Sequence, residues 1–247
     1  MKNNILVSII TVVYNGEQTI AHTIESVLDQ SYSNIEYIVM DGNSSDKTVE
    51  IAKGYVQKFC DKGYSYKIVS KKDKGMYDAL NKGAQLASGE LVGQINADDW
   101  YEPEAVEKMV KLYQEKIFDV AWGNIRVINK NGSFIKRAYI GKIWTTAGFC
   151  HPSMFSKREI LLSYPYALEN MYDDFDYATR VYLDGKRICT TDTLISNFVL
   201  GGMSSKKGWA ECKKRIGLKW HGYKKYNMSK FYWFYCFLWE FVKYILA

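Results

Sequence analysis

The stretch Leu91-Val-Gly-Gln-Ile-Asn-Ala-Asp-Asp-Trp100 decides how the rest of the chain is interpreted. Leu91 to Ile95 form a short apolar run of the kind that predicts a buried strand. Asn96, Asp98 and Asp99 follow at once, where open α/β sheets bind their ligands. Two adjacent carboxylates repel each other unless a positive charge lies beside them, and Mg²⁺ prefers one or two carboxylates together with phosphate oxygens and water. The stretch therefore predicts a turn that binds a metal and a diphosphate, with a helix N-cap at Asp98 as the alternative.

The composition fits one folded domain with an appendage. The chain has 247 residues, of which 47% are hydrophobic and only three are proline, so a sizeable core is available and a disordered linker is not expected. Five widely spaced cysteines show neither zinc-ligand spacing nor a disulfide framework. The amino terminus lacks the apolar segment of a signal peptide. We therefore expect a cytoplasmic protein with reduced thiols.

Positive charge is concentrated near the carboxyl terminus. The net charge of the chain is +6, yet residues 206–230 alone hold nine Lys and Arg against one acid, or 9 − 1 = +8. An unbroken apolar run, Phe231 to Trp239, follows. The segment is short for a bilayer span and contains Glu240 and Lys243. We predict that residues 206–247 form a helical tail that makes peripheral contact with an anionic membrane leaflet, with packing against protein as the alternative.

Strand-like and helix-like segments alternate through the first hundred residues. The apolar runs that predict buried strands are Leu6–Val13, Ile35–Met40, Tyr66–Ser70 and Leu91–Ile95. Amphipathic helical patterns separate them. This alternation predicts an α/β fold, with a mostly parallel central sheet and helices on both faces. Farther along, strands around an Asn131-Gly132 hairpin turn and an acidic helix that begins at Asp173 indicate a second half.

The loops that follow the four strands carry the polar residues and are expected at one edge of the sheet. These loops are Thr11–Glu17, Asp41–Asp46, Lys71–Asp78 and Asn96–Asp99. Neither GxGxxG nor GxxxxGK[ST] is present, so phosphate binding needs another device, and a metal at Asp98 and Asp99 would supply it. Lys74 would steer the diphosphate, with an ordinary solvated lysine as the alternative.

Six motifs in a defined order carry a resemblance to a known family. They are Thr11–Asn15, Glu36–Thr48, Gly75–Gly83, Asn96–Asp99, Asp173–Asp176 and Leu200–Ser204. Together they resemble the family-2 inverting glycosyltransferases of the GT-A fold, and among these the bacterial enzymes that build surface polysaccharides. The resemblance implies a GT-A catalytic domain at 1–205, with a nucleotide-sugar half to residue 100 and an acceptor half at 101–205.

The activity implied by the resemblance is transfer of a sugar from a nucleoside-diphosphate sugar, UDP-linked by preference, to a saccharide or lipid-linked saccharide. The implied cofactor is Mg²⁺ or Mn²⁺, held by the DxD element at Asp99 and Asp98. Asp174 matches the proposed catalytic base. Asp173 stands where Glu is usual, which leaves the choice of base among Asp173, Asp174 and Asp176 open. These acids are also what the dipole of a helix N-terminus favours.

The resemblance further implies a set of residues that contact the nucleotide sugar. They are Thr11, Val13, Tyr14, Glu17, Asp41, Lys74, Asp78, Asn81, Asn96 and Asp98. Asn96 stands where many family members carry an acid, so the site has less negative charge. For Asp41 the alternative is a purely structural role in an Asx turn. His151 and Trp100 are placed on the acceptor side, although a lone histidine is more often structural.

The chemistry requires a carboxylate that takes the proton of the acceptor hydroxyl and a Lewis acid for the leaving diphosphate. A base on the face opposite the leaving group inverts the anomeric centre, as in inverting glycosidases. The alternatives are a nucleotidyltransferase and an inactive relative that acts as a membrane scaffold. No nucleic-acid-binding motif accompanies the basic tail, so nucleic acid is not an expected partner. A lipid-linked acceptor would place the protein on the inner face of the cytoplasmic membrane.

Overall fold

The computed structural model describes residues 4–201 and 208–246. The strands are β1 (Val7–Val13), β2 (Ile35–Asp41), β3 (Ser65–Ser70), β4 (Leu91–Asn96), β5 (Trp100–Tyr101), β6 (Val120–Asn129), β7 (Gly132–Lys136), β8 (Phe155–Lys157) and β9 (Ile188–Val199). The helices are α1 (Ile20–Leu28), α2 (Thr48–Lys53), α3 (Val56–Asp61), α4 (Met76–Leu86), α5 (Ala105–Lys116), α6 (Arg158–Ser163), α7 (Asp173–Leu183), α8 (Trp209–Lys225) and α9 (Phe231–Leu246). A single 3-10 turn spans His151–Ser153.

The strands of these ranges join one sheet in the order β3-β2-β1-β4-β8-β6-β9-β5, with β7 added beside β6. The first four strands of this order are parallel, as predicted. Their register places Asp41 opposite both Val13 and Ser70, and Asn96 opposite Val12. The carboxyl ends of β1 to β4 therefore lie level, and the loops that follow them share one edge of the sheet.

Helices cover both faces of this parallel half. Because successive side chains of a strand point to opposite faces, Ile9 packs with residues of α1, α3 and α5, whereas its neighbour Ile10 packs with residues of α4 and α7. Every residue of β1 and β2 is buried. This two-sided burial explains why both strands are continuous apolar runs and not alternating ones.

The second half of the sheet is mixed, so the prediction of a mostly parallel sheet is correct only for the first half. β8 lies between β4 and β6 and runs antiparallel to both, β9 is parallel to β6, and β7 completes the predicted hairpin. Apolar periodicity reports burial and not the direction of pairing, which is why the sequence did not reveal this arrangement.

The far edge of the sheet curls back to the end of β4. β4 ends at Asn96 and β5 begins at Trp100, yet β5 pairs with β9, where Trp100 lies opposite Asn197. The helix that follows starts only at Ala105, with Glu104 as its N-cap. Asp98 is therefore not a helix cap, which removes the alternative interpretation of the acidic turn.

α8 and α9 pack on the same face of the sheet as α7. Ile216 and Tyr223 of α8 and Tyr232 and Cys236 of α9 belong to the hydrophobic cluster that also contains Tyr177 of α7. One side of the tail thus packs on the domain, as the alternative interpretation of the tail expected. Throughout the part of the chain that the structure describes, no helix is long and apolar enough to cross a membrane. The predicted boundary at 205 and 206 and the end of the Leu200–Ser204 motif lie outside the described residues.

Candidate active site

Asp99 lies at the point where β4, α1 and the end of β9 meet. Its side chain is completely buried, and its Oδ1 accepts the N–H of Val199 at 2.9 Å. The hydroxyl of Thr23 donates to the Asp99 carbonyl at 2.6 Å. The second carboxylate oxygen, Oδ2, is buried and has no hydrogen-bond partner. The fold thus holds this carboxylate rigidly and leaves one of its oxygens available.

The environment of Asp99 opposes its negative charge. Burial, and after it the charge of the neighbouring Asp98, raise the pKa of Asp99 well above its usual range. Asp98 itself is exposed at the same turn. Among the residues that the structure describes, no three His, Cys, Asp or Glu side chains form a metal-binding group. One or two carboxylates fit a cation whose remaining ligands are phosphate oxygens and water, and the unpartnered Oδ2 is the atom that would bind it.

Asp41, predicted to contact the nucleotide sugar, is buried at the end of β2. Its carboxylate accepts the hydroxyls of Ser44 and Ser70, both at 2.5 Å, and the N–H of Ser44 at 3.1 Å. The local turn that the structural alternative described is therefore present. Ser44 and Ser70 orient this carboxylate at the edge of the sheet.

The residues in and just after β1 that are predicted to contact the nucleotide sugar differ in exposure. Thr11 is fully buried and its hydroxyl accepts the hydroxyl of Tyr37 at 3.0 Å. Val13 is buried, whereas Tyr14 is 67% exposed. Tyr14 therefore offers a side-chain surface to a ligand, while Thr11 and Val13 support the edge from within. Glu17 lies in the same loop, and its carboxylate accepts the N–H of Lys47 at 3.0 Å, which joins this loop to the one after β2.

The predicted residues of α4 are engaged within the fold. The Asp78 carboxylate accepts the N–H of Lys74 at 2.9 Å and the ammonium of Lys82 at 2.7 Å, and the residue Lys74 is exposed. Both ends of the Asn81 amide pair with the backbone of Tyr166 at 2.9 Å. Asn81 therefore joins α4 to the loop before α7, and its contact with a nucleotide sugar stays a prediction.

The three acids at the start of α7 have different surroundings. Asp173 is fully buried and accepts the N–H groups of Glu169 and Asn170 at 2.8 and 3.0 Å. Asp176 accepts charged or hydroxyl donors from three residues, namely Arg180, Lys225 and Tyr226. Asp174 keeps 20% of its side chain exposed. Of the three, Asp174 has the most exposed side chain, and its carboxylate accepts the N–H of Phe175 at 2.7 Å.

A buried polar network links Asp174 to the central sheet. Asp174 Oδ2 lies 4.0 Å from His151 Nδ1, and His151 Nε2 lies 3.4 Å from Gln94 Oε1. The hydroxyl of Tyr166 donates to the same Gln94 oxygen at 2.5 Å. Burial lowers the pKa of His151, while the charge of Asp174 opposes this. His151 thus lies beside the predicted base, and its place on the acceptor side stays a prediction.

Sequence reasoning missed Gln94 and Tyr166. Gln94 stands in the middle of an apolar strand and is buried, and its Nε2 lacks a hydrogen-bond partner. A polar residue inside a buried strand is the signal that identifies such a position. Trp100 and Asn96 are both partly buried at the acidic turn, and the Trp100 ring centroid lies 4.4 Å from that of His22. His22 is exposed at the surface, and its ring contacts the Trp100 ring.

Comparison with known proteins places this chain in a family. The family model Glycosyl transferase family 2 matches residues 8–187, nearly three quarters of the chain. The chain is 30% identical over 160 residues to the chondroitin synthase of Escherichia coli, which covers 62% of this chain and 23% of that protein. Across three of the curated relatives that it matches, the chain spans 23% to 31% of their length.

Two solved structures share the fold. One is the mannosyltransferase PcManGT from Pyrobaculum calidifontis in complex with GDP-Man and Mn²⁺, with a TM-score of 0.70, 20% identity, and coverage of 93% of this chain and 66% of that one. The other is Staphylococcus aureus TarS 1-349 in complex with UDP, with a TM-score of 0.65, 19% identity, and coverage of 79% and 61%. They confirm the GT-A fold, and the family model disfavours a nucleotidyltransferase. The chain belongs to glycosyl transferase family 2.

Proposed function

We propose that the chain is a metal-dependent inverting glycosyltransferase that moves a sugar from a nucleoside-diphosphate sugar to a saccharide or lipid-linked saccharide in surface-polysaccharide synthesis. The buried Asp99 carboxylate carries this proposal, because its Oδ2 lacks a partner at the edge where the strand-end loops meet. An unpaired buried charge costs several kcal/mol. A divalent cation that also binds a diphosphate would compensate it.

Asp99 would bind the cation directly, and Asp98 would contribute from the exposed side of the same turn. Bound there, Mg²⁺ or Mn²⁺ would supply Lewis-acid stabilisation of the leaving diphosphate. The hydrogen bond from Val199 to Asp99 Oδ1 orients the carboxylate in advance. This orientation lowers the cost of assembling the site when donor and cation bind.

Asp174 would accept the proton of the attacking hydroxyl. Its carboxylate is partly exposed, and the neighbouring His151, whose Nδ1 lies 4.0 Å from Asp174 Oδ2, would orient it. Asp173 would act as a positioning residue, because it holds the backbone turn just before α7. Attack from the face opposite the leaving diphosphate would invert the anomeric centre.

The donor would bind at the edge of the sheet where the carboxyl ends of β1, β2 and β3 lie side by side. Tyr14 offers an exposed ring, and Asp41, oriented by Ser44 and Ser70, would accept the ring N–H of uracil. TarS bound to UDP and PcManGT bound to GDP-Man and Mn²⁺ support a nucleotide donor and a divalent cation. We favour a UDP-sugar because a carboxylate pairs well with the single ring N–H of uracil.

The tail would hold the protein on a membrane that carries the acceptor. Five apolar side chains of α9 recur every three or four residues and are 49% to 64% exposed. This apolar stripe consists of Phe231, Phe234, Leu238, Val242 and Ile245. It lies opposite the buried Tyr232, Cys236 and Glu240 by helical spacing. Exposed lysines of α8 and the following turn, such as Lys213, Lys224 and Lys230, would complement an anionic leaflet.

The deciding experiment measures the melting temperature of the protein with UDP, GDP, CDP and dTDP, each with Mn²⁺ or with EDTA. We expect UDP to raise the melting temperature only when Mn²⁺ is present, because a ligand that binds the folded state stabilises it by mass action. Asp99→Asn should abolish the shift, whereas Glu104→Gln, an exposed carboxylate on α5, should retain it. No shift with any nucleotide would favour the scaffold alternative.

A further inference from the structure

A buried glutamine in β4 contacts the residue that lies beside the proposed base. Gln94 is 1% exposed, in a strand that is otherwise apolar or glycine up to Asn96. Its Oε1 accepts the hydroxyl of Tyr166 at 2.5 Å and lies 3.4 Å from His151 Nε2, whereas its own Nε2 has no hydrogen-bond partner. An unpartnered buried amide group destabilises a fold. An apolar side chain would avoid this penalty, so we expect Gln94 to serve the site and not stability.

The hydroxyl of Tyr166 determines which end of the Gln94 amide faces His151. The Tyr166 side chain is buried, and its hydroxyl donates to Gln94 Oε1. If the amide were turned end for end, the Tyr166 hydrogen and the Gln94 oxygen would both lose their partners. In the observed orientation, only the amide nitrogen among these groups lacks one. The atom that faces His151 is therefore an oxygen, which accepts hydrogen bonds and does not donate them.

This oxygen favours one tautomer of the His151 ring. Because Gln94 Oε1 only accepts, His151 Nε2 carries the hydrogen, and Nδ1 of the neutral ring then carries a lone pair. Nδ1 lies 4.0 Å from Asp174 Oδ2, too far for a direct hydrogen bond. Asp174 Oδ1 accepts the N–H of Phe175 at 2.7 Å, which leaves Oδ2 for the substrate. Two proton acceptors, Nδ1 and Oδ2, therefore face each other at the proposed base.

We propose that Gln94 is a positioning residue that keeps His151 Nδ1 unprotonated, so that the ring receives the acceptor proton from Asp174. The inference rests on the proposed function, because it concerns the base of that reaction. The proton of the acceptor hydroxyl passes to Asp174 Oδ2 and then to His151 Nδ1. The hydroxyl oxygen bonds to the anomeric carbon, and the bond from that carbon to the diphosphate breaks. The carboxylate is thereby restored beside an imidazolium that orients it, and water takes the proton before the next turnover.

The groups around this pair determine what a pH profile reports. Burial lowers the pKa of His151, and the charge of Asp174 opposes this, so the unprotonated ring is favoured. The titratable side chains around the pair are Tyr77, Lys136, Cys150, Tyr166, Tyr172 and Asp173. Burial raises the pKa of the tyrosines and of Cys150, which therefore stay uncharged, whereas Lys136 and Asp173 stay charged. A change in rate between about pH 5 and 8 then reports on the His151 ring.

The first measurement is the tautomer of His151, which NMR spectroscopy of the full chain reports from the coupling of the ring nitrogens to carbon-bound ring hydrogens. It needs no substrate, and His151→Asn identifies the signal among the three histidines. We expect the hydrogen on Nε2 in the wild type at about pH 8, and largely on Nδ1 in Gln94→Met, which lacks the oxygen. Gln30→Met is the matched control, because Gln30 is also buried but donates to the backbone carbonyls of Ser26 and Glu102. Melting temperatures establish that each variant is folded.

The second measurement is the transfer rate as a function of pH. Gln94→Met should lower kcat by about tenfold and leave KM for the donor unchanged, because it disturbs the proton acceptor and no donor contact. Gln30→Met should leave both unchanged. Gln94→Glu keeps an acceptor for His151 Nε2 and adds a negative charge that raises the pKa of His151. The ring then stays protonated to higher pH and does not accept the proton, so the pH of half-maximal rate should rise by about one unit.

Hydrogen on Nδ1 of His151 in the wild type, or the wild-type tautomer in Gln94→Met, would overturn the proposal. An unchanged rate and pH profile in Gln94→Met would overturn it as well. The wild-type tautomer and Gln94→Glu decide the proposal if Gln94→Met does not fold. A missing UDP and Mn²⁺ shift beside hydrogen on Nε2 would overturn the donor chemistry of the proposed function and leave the role of Gln94 in place.

Discussion

Asp99 and Glu240 are both completely buried acids, and their surroundings are opposite. Glu240 lies within ion-pair distance of three cations, and these charges lower its pKa to about 2 despite burial. Asp99 has one backbone donor and an unpartnered oxygen, and its pKa is raised well above its usual range. A buried carboxylate whose charge the protein balances serves the fold, whereas one whose charge is left unbalanced is suited to a ligand.

The largest expected effect is on turnover when Asp99 is replaced. Asp99→Asn should lower the transfer rate by about a thousandfold, because it removes the charge that holds the cation at the leaving group. It should leave the melting temperature of the ligand-free protein unchanged or higher, since it removes an uncompensated buried charge. Transfer assays and thermal unfolding test both parts. A marked loss of ligand-free stability would make Asp99 a structural acid like Glu240.

For Glu240, in contrast to Asp99, we expect that replacement of the acid destabilises the ligand-free protein. Glu240→Gln should lower the free energy of unfolding by about 3 kcal/mol, because it leaves the buried ammonium of Lys219 without the carboxylate that it contacts at 2.6 Å. Denaturant unfolding measures the change, with Glu159→Gln, whose side chain is 73% exposed, as the control that stays near wild type.

The difference in stability between wild type and Glu240→Gln should depend on pH. The pKa of Glu240 is lower in the fold than the usual 4.5, so its contribution to stability is present above pH 4.5 and is lost as the pH falls towards about 2. The stability gap between wild type and Glu240→Gln should therefore narrow over that window. A gap that stays constant with pH would show that the ion pairs around Glu240 do not stabilise the fold.

Asp174 is proposed to act in catalysis, whereas its neighbour Asp173 is expected to stabilise the fold. Asp174→Asn should lower turnover by about a hundredfold, because a general base is lost, and should spare donor binding. Asp173→Asn should instead lower the melting temperature, since its carboxylate holds the N–H groups of Glu169 and Asn170. Full turnover by Asp174→Asn in a transfer assay would exclude it as the base.

The smallest effect is expected on the exposed side of α9. Leu238→Ser should leave the melting temperature unchanged, because Leu238 is 59% exposed, and should weaken binding to phosphatidylglycerol vesicles by about tenfold. Vesicle flotation measures this, with Ser229→Ala, in the exposed turn between α8 and α9, as the control. Unchanged flotation of Leu238→Ser would show that the apolar stripe does not meet the membrane.

Local patterns predicted much of the donor half. The apolar runs at β1, β2 and β4 identified buried strands, and parallel strands place their following loops at one edge. β8 has only three residues, too few to show a period, so neither this strand nor its antiparallel placement was predicted. The polar network of Gln94 and Tyr166 was also missed, because its members are 72 residues apart in the chain.

By itself, the sequence determined the alternation of strands and helices in the first hundred residues, the acidic turn at Asp98 and Asp99, and the family, because these depend on residue type and spacing along the chain. Only the tertiary structure decided which carboxylates have their negative charge balanced by neighbouring cations and hydrogen-bond donors. Asp99, Asp176 and Glu240 are all acids that look alike in a sequence, and they gain partners from distant segments: Val199, Lys225 and Arg215 reach them only after folding. The energy of a buried charge depends on what lies within a few ångströms of it, and that neighbourhood is a property of the fold.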